Sequence, residues 1–218
     1  MKIVFATGNP GKIREAEEIL GEGFELVTPA SLGIKEEIPE TGNTLRANSM
    51  QKADYIYKIT GLPCFADDSG LEVDILGGAP GVETARYAGP EKDPKANMAK
   101  LLTEIARREK EAAMARTNGV STAKANRRAR FRTVVALVQN GQEYLFEGIV
   151  EGTIRTHKSG GEGFGYDPIF EPEDTGLTFA EMGPAQKNAI SHRSRAIQKL
   201  AHFLLGTETS DSSHEKEN

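Results

Sequence analysis

Two adjacent carboxylates, Asp67 and Asp68, lie in the stretch FADDSGLEVD, residues 65–74, at the end of an apolar approach. Neighbouring side chains on an extended strand point to opposite faces, so only one of the two can face a given cleft. One acid could then meet a ligand while the other holds backbone or a basic residue. Carboxylates facing a phosphate chain need a cation between them, and Mg²⁺ takes carboxylate and phosphate oxygens together. The competing reading is turn chemistry, with Asp-Asp-Ser-Gly carrying solvated acids.

Other segments carry complementary chemistry. TGNPGK, residues 7–12, lies between an apolar run and a helical pattern. Backbone N–H groups at a helix start attract anions, glycine permits close approach, and Lys12 adds charge. It is not a P-loop, because Ile13 follows the lysine where that motif needs a hydroxyl. The alternative is an ordinary strand-to-helix turn. IPETG, residues 38–42, places Glu40 at a helix entrance, where the dipole alone favours an acid. GGEGFGYDPIF, residues 160–170, crowds glycines around Phe164, Tyr166 and Asp167. Such a loop lets backbone approach a ligand and offers an aromatic face to a flat base, or else makes a tight bend. KNAISHRSR, residues 187–195, gathers Lys187, Ser191, His192, Arg193 and Arg195 at a helix start. These donors suit phosphate or base oxygens, or form a solvated basic face with a capping serine. His157, His202 and His214 read as structural.

The elements that must position these residues follow an α/β pattern. KIVFA reads as a buried strand, KIREAEEILG as a helix stopped by Gly21, FELVTP as a second strand and PCFAD as a short third one. A helix is expected from about residue 43 to 58, capped by Thr41 or Asn43, and another over 93–115. TNGVSTAKANRRAR is polar and aperiodic and reads as a loop. FRTVVALVQNGQEYLFEGIVEGTI gives two strands joined at Asn140-Gly141, a hairpin signal. NAISHRSRAIQKLAHFLLG reads as one final helix. Residues 207–218 contain no core-forming side chains and are expected to be a disordered tail.

With 218 residues and a net charge of −5, the chain suits one domain and lacks the basic excess of a duplex-DNA binder. A nucleotide pocket remains compatible with that charge. The lone Cys64 excludes an intrachain disulfide, fits a reducing compartment and reads as a core residue. The apolar start MKIVFA is too short for a signal peptide, and no run approaches the roughly 18 apolar residues of a membrane span. Cytoplasmic placement is expected, with neither membrane nor nucleic acid as partner.

Taken together, FATGNPGK, PETGNT, FADDSGLEVDILGGAPGVETARYAG, GEGFGYDPIF, FAEM and KNAISHRSRA, spanning about residues 2–205, resemble the inosine/xanthosine triphosphate pyrophosphatase family. The resemblance implies an elongated mixed sheet flanked by helices, one domain over residues 1–206 with two lobes and a central cleft, and a homodimer. It implies Mg²⁺-dependent hydrolysis of ITP, dITP and XTP to monophosphate and pyrophosphate, which cleanses the nucleotide pool. By the same resemblance, Thr7, Gly8, Asn9, Pro10, Gly11 and Lys12 hold the phosphate chain. Glu40 and Asp68 bind the metal, Asp68 is also the general base, and Asp67 supports the site. Ser69 and Arg86 contact substrate. Phe164, Gly165, Tyr166 and Asp167 form the base-pocket loop, with Phe164 stacking, and Lys187, His192 and Arg193 complete the nucleotide contacts.

This chain departs from the family pattern twice. Ala47-Asn48-Ser49 stands where many relatives carry Glu-Asn-Ala, which removes an acid. The segment from about 107 to 130 is longer and more basic than the family leads one to expect, and reads as a surface insertion. Two other functions share much of the signal: a septum-inhibitor type of pyrophosphatase acting on modified or pyrimidine triphosphates, and a nucleotide-binding module without catalysis. Paired acids count against the latter, since pure phosphate binding gains nothing from negative charge.

Overall fold

The computed structural model describes residues 1–119, 126–161 and 165–206. Phe164, His214, the tail at 207–218 and the middle of the basic segment lie outside the described residues. One mixed sheet organises the chain, in the order β2-β1-β3-β5-β6-β7. Strand β1 (Lys2–Phe5) runs parallel to β2 (Glu25–Val27) and to β3 (Cys64–Val73). The long strands β5 (Arg128–Gln139) and β6 (Gln142–Ile154) continue antiparallel, followed by β7 (Phe170–Pro172), while β4 (Pro80–Gly81) pairs with β3 off the main path. The β5–β6 hairpin closes at Asn140 and Gly141, both with positive φ of 52° and 73°, the backbone that a tight two-residue turn requires.

Helices flank the sheet. Helix α1 (Pro10–Leu20) and the later α5 (His192–Leu204) cover one face, where Ile3, Phe5, Phe65, Val135, Leu137, Ile197 and Leu200 are buried together. Phe5 and Phe65 stack there with ring centroids 4.3 Å apart. Helix α2 (Leu45–Thr60) covers the other face over Val4, Ala66 and Ala136, with Ala53 and Ile56 inward. Helix α3 (Pro94–Thr117) seals the far end through Met98, Leu101 and Ile105 against Phe131, Ile154 and Phe170. Each such side chain contributes about 1.5–3 kcal/mol by leaving water. The short α4 (Pro184–Ile190) leads into α5. Among the described residues, no helix is long and apolar enough to cross a membrane.

Several expectations are corrected. The third strand does not end at the acids but runs on to Val73, so Asp67 and Asp68 lie mid-strand, each paired with a valine of β5. Helix α2 starts at Leu45 with Thr44 as its cap, its hydroxyl accepting from the Ala47 N–H at 3.0 Å. Thr41 is instead held by Gln51, which accepts from the Thr41 N–H at 2.9 Å. The final helix is broken at Ser191, whose extended backbone (φ −64°, ψ 149°) ends α4 and caps α5. Within the described part of the basic segment α3 reaches Thr117 and β5 begins at Arg128, so residues 128–130, read as loop, belong to a strand.

Candidate active site

Strand alternation separates the two acids. Asp67 faces α1 and α5 and is 1% exposed. Its Oδ1 accepts from Lys12 Nζ at 2.9 Å and its Oδ2 from Arg193 Nε at 3.0 Å. Burial pushes its carboxyl upward, but Lys12, Arg193 and Lys52 outweigh that and hold it well below the usual range. Burial lowers the Lys12 ammonium, with Asp67 pulling the other way. Arg193 also donates Nη1 to Glu15 Oε2 at 2.8 Å, and Glu15 Oε1 accepts from Ser191 Oγ at 3.0 Å. Helix α1 therefore fixes both the cap of α5 and its arginine.

Asp68 faces α2. Its Oδ2 accepts from Asn48 Nδ2 at 3.1 Å and its Oδ1 from the Ser69 N–H at 3.0 Å. Burial raises its carboxyl; Lys52 opposes the shift and the nearby Glu40 adds to it. Glu40 moves the other way: burial alone would raise it, but its bond with Lys52 holds it low. Lys52 Nζ also donates to the Asp67 backbone carbonyl at 2.8 Å, so one ammonium bridges the helix entrance and the strand. Arg86 makes a two-point contact with Glu83, at 2.6 and 3.1 Å, and its charge is further favoured by Glu40 and Asp68. The Ser69 hydroxyl lies on the opposite face, 2.7 Å from Thr133 Oγ1.

The TGNPGK loop uses most of its own N–H groups. Asn9 caps α1, its Oδ1 accepting from Gly11 N–H at 2.8 Å and Lys12 N–H at 3.2 Å. The Asn9 N–H donates to Thr7 Oγ1 and the Thr7 N–H to the Phe5 carbonyl. Pro10 has no N–H, which leaves Gly8 as the one loop amide outside these bonds. An anion placed here would therefore meet chiefly side chains, Lys12 and Lys52 foremost.

The opposite end is aromatic. Tyr166 is buried, and its hydroxyl donates to the Thr84 carbonyl at 2.9 Å, tying the glycine-rich loop to the turn that bears Arg86. Gly165 beside it has φ 62°, a conformation that favours glycine. Asp167 accepts from Lys187 Nζ at 2.6 Å. His192 stacks on Phe131, with centroids 4.8 Å apart and planes 11° from parallel. Burial, helped by Arg193 and Lys187, lowers its pKa well below the ordinary value, so the ring is neutral at pH 7. Its Nδ1 is buried and has no hydrogen-bond partner among the described residues. A buried polar atom without a partner calls for a ligand or a water.

The structure thus brings Lys12, Glu40, Asp67, Asp68 and Arg193 into one network. Tyr166, Asp167, Lys187 and His192 form its neighbour, with the charges of Asp67 and Lys12 felt at His192. Sequence reasoning missed Lys52, Asn48 and Glu15. Polar residues at 48 and 52 fall on the same inward stripe as Leu45, Ala53 and Ile56, and that anomaly was the available signal. Glu15 is one of several acids on α1, and nothing local marks it out. Among the described residues no three His, Cys, Asp or Glu side chains converge as a metal cage. The pair Glu40 and Asp68 still fits Mg²⁺, which keeps waters and needs only one or two carboxylates beside substrate phosphates. Asp68 is half-buried beside a like charge, a strain that a divalent cation relieves.

The Ham1 family model matches residues 3–203. A dITP/XTP pyrophosphatase of Porphyromonas gingivalis is 46% identical over 204 residues, covering 94% of this chain and 97% of that protein. One of Bacillus subtilis is 44% identical, covering 92% and 96%. Among solved structures, a HAM1 protein from Coxiella burnetii superposes with a TM-score of 0.83 at 34% identity, covering 94% of this chain and 99% of that one. On sequence, length and architecture together, the chain belongs to the Ham1 family.

Proposed function

We propose that this chain is a Mg²⁺-dependent pyrophosphatase that hydrolyses deaminated purine nucleoside triphosphates, ITP, dITP and XTP, to the monophosphate and pyrophosphate. Removal of such nucleotides from the cytoplasmic pool, by a homodimer, belongs to the same reading. The observation that carries it is the split acid pair: Asp67 neutralised by Lys12 and Arg193 on one face, Asp68 half-buried beside Glu40 on the other. The names of full-length relatives as dITP/XTP pyrophosphatases support the substrate class.

Glu40 and Asp68 would hold Mg²⁺, which supplies charge neutralisation on the phosphate oxygens. Asp68 takes the proton from the attacking water, whose oxygen bonds to the α-phosphorus as the bond from that phosphorus to the bridging oxygen breaks. Lys12, Lys52 and Arg86 line the path of the departing pyrophosphate. Asp67 keeps Lys12 and Arg193 in place. At the base, a 6-oxygen accepts where the amino group of adenine donates. A neutral His192 with a protonated Nδ1 would meet that oxygen, and facing ATP it would be left against another donor.

Product analysis across ITP, XTP, dITP, GTP and ATP tests the reading. Release of pyrophosphate from ITP should far exceed release from ATP and should stop with EDTA. Equal rates, or activity surviving chelation, sink it. A preference for modified pyrimidines points to the septum-inhibitor type, and tight ITP binding without products points to a binding module. Asp68→Asn should abolish turnover with the fold intact.

A further inference from the structure

Helix α2 turns one polar side chain into its buried stripe at the point where the two acids meet. Asn48 is 2% exposed among Leu45, Ser49 and Ala53. Its amide is used at both ends: Oδ1 accepts from the Gly42 N–H at 2.7 Å, and Nδ2 donates to Asp68 Oδ2 at 3.1 Å. The Gly42 N–H can be met only by the oxygen, so the NH₂ end is directed at the carboxylate. Gly42 permits the close approach, since a Cβ there would stand 2.8 Å from Asn48 Oδ1 and 2.7 Å from the Ala47 Cβ. Glu40 lies two residues before Gly42 in the same loop. Helix α2 grips that loop twice more, through Gln51 at Thr41 and Lys52 at Glu40.

We infer that Asn48 is a positioning residue: its single buried amide ties the loop bearing Glu40 to the carboxylate of Asp68, and so sets the spacing of the acid pair that receives the divalent cation. This rests on the reading of Glu40 and Asp68 as the cation site. Among the described residues the side-chain hydrogen bonds of Asn48 go to Gly42 and Asp68 and not to the aromatic end or the lysines, so its loss acts on cation and turnover rather than on nucleotide recognition. Leucine of similar size leaves the Gly42 N–H without an acceptor and Asp68 Oδ2 free to turn.

The test compares wild type with Asn48→Leu, Asn48→Ala and Gly42→Ala, the last striking the same bond from the loop side. Mg²⁺ binding is measured by calorimetric titration of protein saturated with a non-hydrolysable α,β-imido analogue of ITP, kcat and KM for ITP at saturating Mg²⁺, and folding by the thermal midpoint. Loss of an outer partner of a metal ligand typically weakens affinity or activity about 10–100-fold, and that loss in Mg²⁺ affinity is expected here. The kcat should fall with it and KM for ITP should hardly move. Unchanged Mg²⁺ affinity in a folded variant overturns the inference, as does a kcat loss that merely follows the folded fraction. Should both Asn48 variants fail to fold, Gly42→Ala decides, because it keeps the amide while its Cβ forces the loop away from Asn48 Oδ1 and the Ala47 Cβ. Normal Mg²⁺ binding by the variants beside Mg²⁺-dependent ITP hydrolysis by wild type refutes this inference alone. No Mg²⁺ binding by wild type removes the cation-site reading and the inference with it.

Discussion

Asp67 shows how a buried charge is tolerated. It is surrounded by cations from α1 and α5 and touches no water-filled surface. Its folded pKa lies below the ordinary 3.8, so its stabilising contribution is fully present above that value and is lost as pH falls through the depressed one. Asp67→Asn leaves Lys12 without its counter-charge and Arg193 with Glu15 alone. Breaking a buried pair from one side costs about 3–5 kcal/mol. Denaturant unfolding at pH 7 should show a loss of that size, and the variant should lack part of the wild-type decline in stability below about pH 4. A change under about 1 kcal/mol would mean that the cations are solvated when Asp67 is gone. Alternation along the strand was enough to place the two acids on opposite faces. The partners were beyond local reading, because Lys12 and Arg193 lie 55 and 126 residues away along the chain.

At the scale of elements, the start of α5 is set by a glycine on a neighbouring strand. A Cβ on Gly148 of β6 would stand 2.0 Å from the His192 carbonyl oxygen and 2.7 Å from the Ala196 N. The helix can lie on the strand only because that atom is absent. Gly148→Ala must push α5 outward, and overpacking of this kind costs typically about 1–3 kcal/mol. Because His192 and Arg193 ride on the displaced turn, KM for ITP should rise more than stability alone accounts for. A nucleotide titration beside a thermal melt checks this, and an unchanged KM would show that β6 yields instead. The hairpin at Asn140-Gly141 was legible, since its residue types meet a strict backbone demand. The break at Ser191 was not. The apolar period continues across it and hides the boundary, although the capping serine itself was legible: its Oγ accepts from the Ser194 N–H at 3.0 Å and donates to Glu15 on a distant helix. Likewise the strand through Asp67 and Asp68 looked finished, because two acids in a strand make sense only once Lys12, Arg193 and Asn48 are seen around them.

Across the whole molecule, the site is a meeting point of segments that the rest of the fold keeps apart. Lys12, Glu40, Lys52, Asp68, Arg86, Tyr166, Lys187 and His192 come from α1, α2, β3, α4, α5 and the loops between them. A nucleotide that bridges these groups binds only the folded chain, so its free energy adds to global stability. At a ligand concentration of 100 times Kd the gain is about 2.7 kcal/mol. For a chain of this size each kcal/mol moves the melting midpoint by about 2–4 °C, which gives roughly 5–10 °C in all. A non-hydrolysable α,β-imido analogue of ITP with Mg²⁺ should produce that shift in a thermal melt. The adenine counterpart at the same concentration should produce far less, since a fixed donor at the 6-position rejects an amino group. Omitting Mg²⁺ should shrink the ITP shift, because the phosphate chain would then face Glu40 and Asp68 unshielded. Equal shifts for the two bases would place selectivity in the chemical step rather than in binding, and would remove His192 from the role given to it here.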